Sequence, residues 1–267
     1  CKVIITSPLE HHAVLHTAEA WAKLGLAELK LVRVNPDGAI DLAHLEELLS
    51  TSEKAIVSLM HGNNEIGNLL DLNAVGDLCE QYHALFHSDT VQTVGHVPLN
   101  LQELGIHSIS GSAHKFYGPK GVGFIYLRGG HSWGPLIQGG SQERNMRGGT
   151  ENLAGIVGMA RALEKALHSM DERRTRLASL RERLRQGLVD VIPGLEFNGD
   201  WSGSCLPHIL SLSFPPHPKG EMLLFNLDIE GVCASGGSAC SSGAQSRSHV
   251  MEALGMHPER TAVRFSL

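Results

Sequence analysis

Residues 55–87 contain Ala55-Ile56-Val57-Ser58-Leu59-Met60, then His61-Gly62-Asn63-Asn64-Glu65-Ile66-Gly67, then Leu72-Asn73-Ala74-Val75-Gly76-Asp77-Leu78-Cys79-Glu80-Gln81-Tyr82, and close on Ala84-Leu85-Phe86-His87. The first and last runs are apolar and of strand length. The third places Leu72, Val75, Leu78 and Cys79 on one helical face, with Cys79 as a core thiol. Strand, helix, strand is how a crossover unit between parallel strands looks in sequence. The same alternation extends outward on both sides. It predicts strands over 3–6, 29–34, 55–60, 84–87, 108–110 and 123–127, and helices over 10–24, 42–49 and 72–82. The fold class is therefore α/β with a mostly parallel sheet.

Beyond residue 127 the pattern changes. A Gly-rich stretch over 129–149 leads to Thr150, which is expected to cap a helix through Ala154, Val157, Met159 and Leu163. A charged segment over 171–185 carries Leu177, Leu180 and Leu184 at helical spacing. After the Pro193-Gly194 break come a strand (209–214), a helix (221–228), a strand (231–234), a loop, a helix (248–254) and a strand (262–266). This divides the chain into a large domain, 1–168, and a smaller α/β C-terminal domain, 169–267. Both ends of the chain lie in strand-like sequence, which reads as a fragment with a truncated small domain.

Of the 267 residues, 42% are hydrophobic and 19% charged, as in an ordinary globular chain. The formal charge of −6, with no run of Lys and Arg, argues against nucleic acid as a partner. No apolar stretch is long enough to span a bilayer, so no membrane role is expected. The five cysteines (Cys1, Cys79, Cys205, Cys233 and Cys240) are widely spaced, without a C-x-x-C pair. They suit reduced thiols in a cytoplasmic setting better than a disulfide framework. The sixteen histidines show no metal-ligand spacing, and no metal is expected.

Three segments carry chemistry. In Ser110-Gly111-Ser112-Ala113-His114-Lys115-Phe116-Tyr117-Gly118-Pro119-Lys120-Gly121, a lysine follows a strand among small residues, with hydroxyl and imidazole donors beside it. A solvated turn lysine is the usual reading of such a position; a lysine that forms a Schiff base with a phosphorylated aldehyde also needs such surroundings. In Phe86-His87-Ser88-Asp89-Thr90-Val91-Gln92, Asp89 follows a strand, where open α/β sheets place ligands. A turn or cap aspartate is the commoner reading there; a carboxylate against a pyridine nitrogen is the other. The third is Gly231-Val232-Cys233-Ala234-Ser235-Gly236-Gly237-Ser238-Ala239-Cys240-Ser241-Ser242-Gly243. Only small residues flank Cys240, so nothing there would bury its thiol, and a thiol on such a loop suits a travelling nucleophile. Cys233, in the expected strand, suits an inert core thiol.

Together these segments resemble the cysteine desulfurases of the class V aminotransferase group, within the fold-type I enzymes that use pyridoxal 5'-phosphate (PLP). Also matching are Glu10-His11-His12-Ala13-Val14-Leu15, His61-Gly62-Asn63-Asn64-Glu65-Ile66-Gly67, Met146-Arg147-Gly148-Gly149-Thr150 and Val263-Arg264-Phe265-Ser266-Leu267, spread along the chain in the family's order. The resemblance implies that Lys115 holds PLP covalently and moves the proton at the substrate Cα. Asp89 would pair with the ring nitrogen, Gln92 with the ring oxygen, and His11 would stack on the ring. Ser112 and His114 would hold the phosphate, and Thr150 the phosphate of a neighbouring subunit's cofactor in a homodimer. Asn64 and Arg264 would bind the carboxylate of L-cysteine. Cys240 would take the sulfur as a persulfide, release alanine and supply an acceptor such as an iron–sulfur scaffold protein. By residue type alone, Asn64 suits a plain turn, His12 could replace His11, and Arg264 suits a surface ion pair. Ala113 stands where many relatives have Gly, and the family's upstream Gly-Thr phosphate cup is not found in these residues. A selenocysteine lyase on the same scaffold, or an inactive partner protein that keeps the fold, are the competing readings.

Overall fold

The computed structural model describes residues 1–131, 133–237 and 248–267. Six strands form the larger sheet: β1 (Val3–Thr6), β2 (Glu28–Leu31), β3 (Ala55–Ser58), β4 (Leu85–Asp89), β5 (Ser108–Ser112) and β6 (Gly123–Leu127). Their order is β2-β1-β3-β4-β5-β6. The first five run parallel, and β6 closes the edge antiparallel to β5. Helices α1 (His12–Lys23), α2 (Leu42–Ser50) and α3 (Leu72–Gln81) make the three crossovers expected from the alternation. Parallel strands covered on both faces need apolar residues on both, and β1 and β3 are buried along most of their length.

The caps explain where the helices begin. Asp41 accepts from the His44 N–H at the start of α2, and Asp71 accepts from the Asn73 and Ala74 N–H groups at the start of α3. Along α3, Leu72, Val75, Gly76 and Cys79 are buried, in keeping with the predicted face. Gly76 is small for a reason: a Cβ there would lie 3.1 Å from the Gly105 backbone. Burial pushes the Cys79 thiol up to about 12, as befits an inert core thiol.

After a short turn, α4 (Gln142–Asn145), in which Glu143 and Arg144 take left-handed angles, come two long helices, α5 (Leu153–His168) and α6 (Met170–Val191). The cap of α5 is Asn152, whose side chain accepts from the Gly155 N–H, rather than the expected Thr150. A second sheet, β7 (Glu196–Phe197), β8 (Ile209–Phe214) and β9 (Thr261–Ser266), is antiparallel with β8 in the middle. Leu210, Leu212, Val263 and Phe265 form its core, with Leu184 and Leu188 of α6 against them. Helix α7 (Leu223–Ile229) follows, and α8 (His249–Ala253) precedes β9.

The expected strand over 231–234 does not form. Only Ser235 makes a bridge, to Arg264, and Cys233 is exposed rather than a core thiol. Helix α8 packs through Val250 and Met251 on Leu9 and Ile66, so late and early sequence share one apolar cluster.

Candidate active site

The carboxyl ends of β4 and β5 lie side by side, with Asp89 in register with Ser110. Thr90 locks them together: its N–H and its hydroxyl both donate to the Ser110 carbonyl, at 3.0 and 2.8 Å. Asp89 is buried, and its Oδ1 accepts from the Val91 N–H at 2.9 Å. So it is a turn acceptor and also a buried carboxylate at a strand end. Gln92 follows, half-buried, in the same turn.

Five residues beyond Ser110, Lys115 sits in a tight 3-10 turn, Ala113–Phe116, ended by Tyr117 in the left-handed region. The Gly118 N–H donates to the Ala113 carbonyl at 2.8 Å and closes the turn. His96 Nε2 donates to the Lys115 carbonyl at 2.8 Å and anchors it from below. Ser112 Oγ and His114 Nδ1 are 2.8 Å apart, so the two groups expected to meet a phosphate are already neighbours. Burial, then the Lys115 and Lys120 charges, lower the His114 imidazole.

His11 caps α1, its Nδ1 accepting from the Ala13 N–H at 3.1 Å. That bond leaves Nε2 to carry the proton of the neutral ring. His12 is engaged elsewhere: its ring lies 4.3 Å from that of His16 and 4.4 Å from that of His249. Just before His11, Glu10 is fully buried, and its Oε1 accepts from the Met60 N–H at 2.6 Å. Burial first, and also the charge of Asp89, hold its carboxyl well above the usual range.

Arg264 is half-buried on β9, and its guanidinium donates to the Asn64 carbonyl at 2.6 Å. The His208 imidazole is pushed down to about 3, by burial and then by the charges of His96, Lys115, Arg173 and Arg264. The His208 and His96 rings stand 4.7 Å apart. His208, His96 and Glu10 escape a reading of the sequence, because each earns its place through partners far away in the chain. Thr150 is exposed on this chain. Cys240 lies outside the described residues.

The donor set fits pyridoxal 5'-phosphate. There is an amine at a strand end, a buried carboxylate on the neighbouring strand for a ring nitrogen, and a hydroxyl–imidazole pair for a phosphate. Among the described residues, no group of three His, Cys, Asp or Glu side chains could hold a metal ion.

Comparison with known proteins agrees. Residues 2–267 match the family described as Aminotransferase class-V. The chain belongs to the class V aminotransferases. Within that family it is 44% identical to the cysteine desulfurase IscS of Dictyoglomus turgidum, covering all of this chain and 67% of that protein. It is 41% identical to the cysteine desulfurase NifS of Azotobacter vinelandii, covering all of this chain and 66% of that protein. A solved structure of a NifS-like protein superposes with a TM-score of 0.88 at 37% identity, covering all of this chain and 69% of that one. The chain thus spans about two thirds of the length of its curated relatives, down to 64% of an IscS from Clostridium botulinum. The α/β architecture of fold type I expected from the sequence is borne out.

Proposed function

We propose that the whole protein is a PLP-dependent cysteine desulfurase, which converts L-cysteine to L-alanine and passes the sulfur through Cys240 to an acceptor. The pairing of β4 with β5 supports this reading most, since it sets the buried Asp89 carboxyl beside the turn that bears Lys115, with the Ser112–His114 pair next to that lysine. The cysteine-bearing segment is what favours desulfuration over transamination. When bound, PLP supplies an electron sink that makes the substrate Cα–H acidic and its Cβ–S bond breakable.

In this reading Lys115 attaches the cofactor and carries the proton taken from Cα. Asp89 keeps the ring nitrogen protonated, Gln92 meets the ring oxygen, and His11 lies on the ring face. Ser112 and His114 hold the phosphate, with Thr150 reaching across a homodimer to the neighbour's. Asn64 and Arg264 hold the substrate carboxylate. The Cys240 thiolate attacks the substrate sulfur: an S–S bond forms, the Cβ–S bond breaks, and a proton reaches Cβ to complete alanine, so no outside oxidant or reductant is consumed. The acceptor is a protein of iron–sulfur or thio-cofactor assembly. We place the domain boundary between 168 and 169. Among the described residues no helix is long and apolar enough to cross a membrane, and the widely spaced cysteines suit a cytoplasmic site.

The test uses full-length protein with PLP and L-cysteine. Equal amounts of alanine and transferred sulfur are expected, together with a visible absorbance band that Lys115→Ala abolishes. If that band survives and borohydride still fixes PLP to the protein, another lysine holds the cofactor.

A further inference from the structure

Glu65 has no part in the chemistry above, yet its side chain is only 1% exposed. Burying a carboxyl is costly, and simple packing there would be met by Leu or Met. Its direction is set by the turn around it. Asn63 Oδ1 accepts from the N–H groups of Glu65 and Ile66 at 2.8 and 3.0 Å, and Asn63 Nδ2 donates to the Leu9 carbonyl at 2.9 Å.

Two distant pieces of chain meet at its carboxyl. The Ser248 hydroxyl donates to Glu65 Oε2, while Ser248 Oγ caps α8 by accepting from the Val250 N–H at 3.1 Å. Gly237 lies against the same carboxyl, with φ of +111°, where a Cβ would lie 2.6 Å from Glu65 Oε2 and 3.2 Å from the Ser248 Cβ. Gly237 and Ser248 flank residues 238–247, the stretch that contains Cys240. Two residues before Gly237, Ser235 exchanges both backbone hydrogen bonds with Arg264, at 3.1 and 2.7 Å. The Arg264 guanidinium in turn donates to the carbonyl of Asn64, the residue before Glu65. His249 adds a further tie, its Nε2 donating to the Glu10 carbonyl at 2.9 Å.

We infer that Glu65 is a positioning residue for sulfur transfer. It pins together the two ends of the cysteine-bearing segment, and its neighbour Asn64 fixes Arg264 beside them. The inference rests on the desulfurase reading, because it assigns the segment a task. A thiol that must meet a substrate sulfur gains from a fixed base: fewer wrong placements raise the rate of attack without tightening the binding of cysteine.

The experiment compares Glu65→Ala, Glu65→Gln, Ser248→Ala and the double alanine variant with the parent, in full-length protein loaded with PLP. Persulfide on Cys240 is followed by mass spectrometry after mixing with L-cysteine. Selenocysteine turnover is measured alongside, since selenium leaves without thiol attack. Glu65→Ala and Ser248→Ala are expected to slow persulfide formation by at least about tenfold. KM for cysteine, the cofactor spectrum and selenocysteine turnover should stay within about twofold, a split that general damage would not give. Glu65→Gln, which keeps an acceptor for the Ser248 hydroxyl, should retain more activity than Glu65→Ala, and the double variant should be no worse than the single ones. Persulfide formation within about twofold of the parent in both alanine variants, or an equal loss with selenocysteine, overturns the inference. Should Glu65→Ala not fold, Ser248→Ala decides by the same criteria. A parent protein that puts no sulfur on Cys240 would instead sink the desulfurase reading. Amide exchange then still tests the clamp: Glu65→Gln, with its weaker neutral bond, should speed exchange at Val250 and Met251, and unchanged exchange counts against it.

Discussion

Asp89 combines an observed structural place with a proposed chemical one. Its Oδ1 accepts from the Val91 N–H and shapes the turn, and the side chain is buried at the strand end. Asp89→Asn preserves the turn acceptor but removes the charge that would keep a ring nitrogen protonated. PLP should stay bound while turnover drops by about a hundredfold or more; turnover within a few-fold of the parent would place the ring partner elsewhere. Two histidines shielded from water add a pH dependence. His208 is pushed down to about 3 and His61 to about 4, from 6.5, burial being the first cause in both. Between those values and 6.5 the unfolded chain binds more protons than the folded one. The stability these groups give is thus complete above about pH 6.5 and is lost as pH falls toward 4 and then 3. Each unit of separation corresponds to about 1.4 kcal/mol. The urea midpoint of the full-length protein should fall steadily from about pH 7 to about pH 5, and His208→Asn, which takes up no proton, should flatten that fall. A midpoint that does not move over this range contradicts the assignment. The placement of Asp89 at the end of β4 and of Lys115 in the turn after β5 was legible in the sequence, because small neighbours and strand ends mark both locally. His208 and His96 were not, because only the folded chain brings 96 and 208 to 115.

At the scale of elements, helix α3 was readable because pattern and cap agree. Asp71 stands just before the apolar face, and its side chain takes up two otherwise unpaired N–H groups of the first turn. Asp71→Ala should cost about 1 kcal/mol, read as a lower urea midpoint at unchanged slope. No change in midpoint would mean that tertiary packing alone fixes the helix start. The segment over 231–234 misled for the opposite reason. Gly231-Val232-Cys233-Ala234 has strand-like residue types, but a strand needs a partner edge, and β9 offers it one bridge at Ser235. Pairing of that kind is decided between segments and leaves no periodicity within one. The cap of α5 moved from Thr150 to Asn152 because both are good capping residues, and only the backbone path selects between them.

Over the whole molecule, the proposed cofactor site borders a surface that one chain leaves open. Tyr117, at the end of the Lys115 turn, is 79% exposed, and Leu153 and Val157 on α5 are 70% and 60% exposed. They belong to one region, for α5 lies on the Lys115 turn so closely that a Cβ at Gly158 would be 2.7 Å from the Pro119 ring. Thr150, exposed just before α5, flanks the same region. An exposed apolar area beside a polar residue with a proposed task in a neighbour's site is what an isologous dimer would cover. The full-length protein should therefore be a homodimer by light scattering at micromolar concentration. Val157→Glu puts a charge into that surface and should shift the protein toward monomer. If Thr150 completes the neighbour's phosphate site, the monomer should also bind PLP more weakly, and Thr150→Ala should weaken PLP binding without dissociating the dimer. That pairing of results separates an interface that merely stabilises from one that completes the site. A Val157→Glu dimer as tight as the parent, or a monomer that holds PLP as well as the dimer does, would remove the neighbour from the cofactor site.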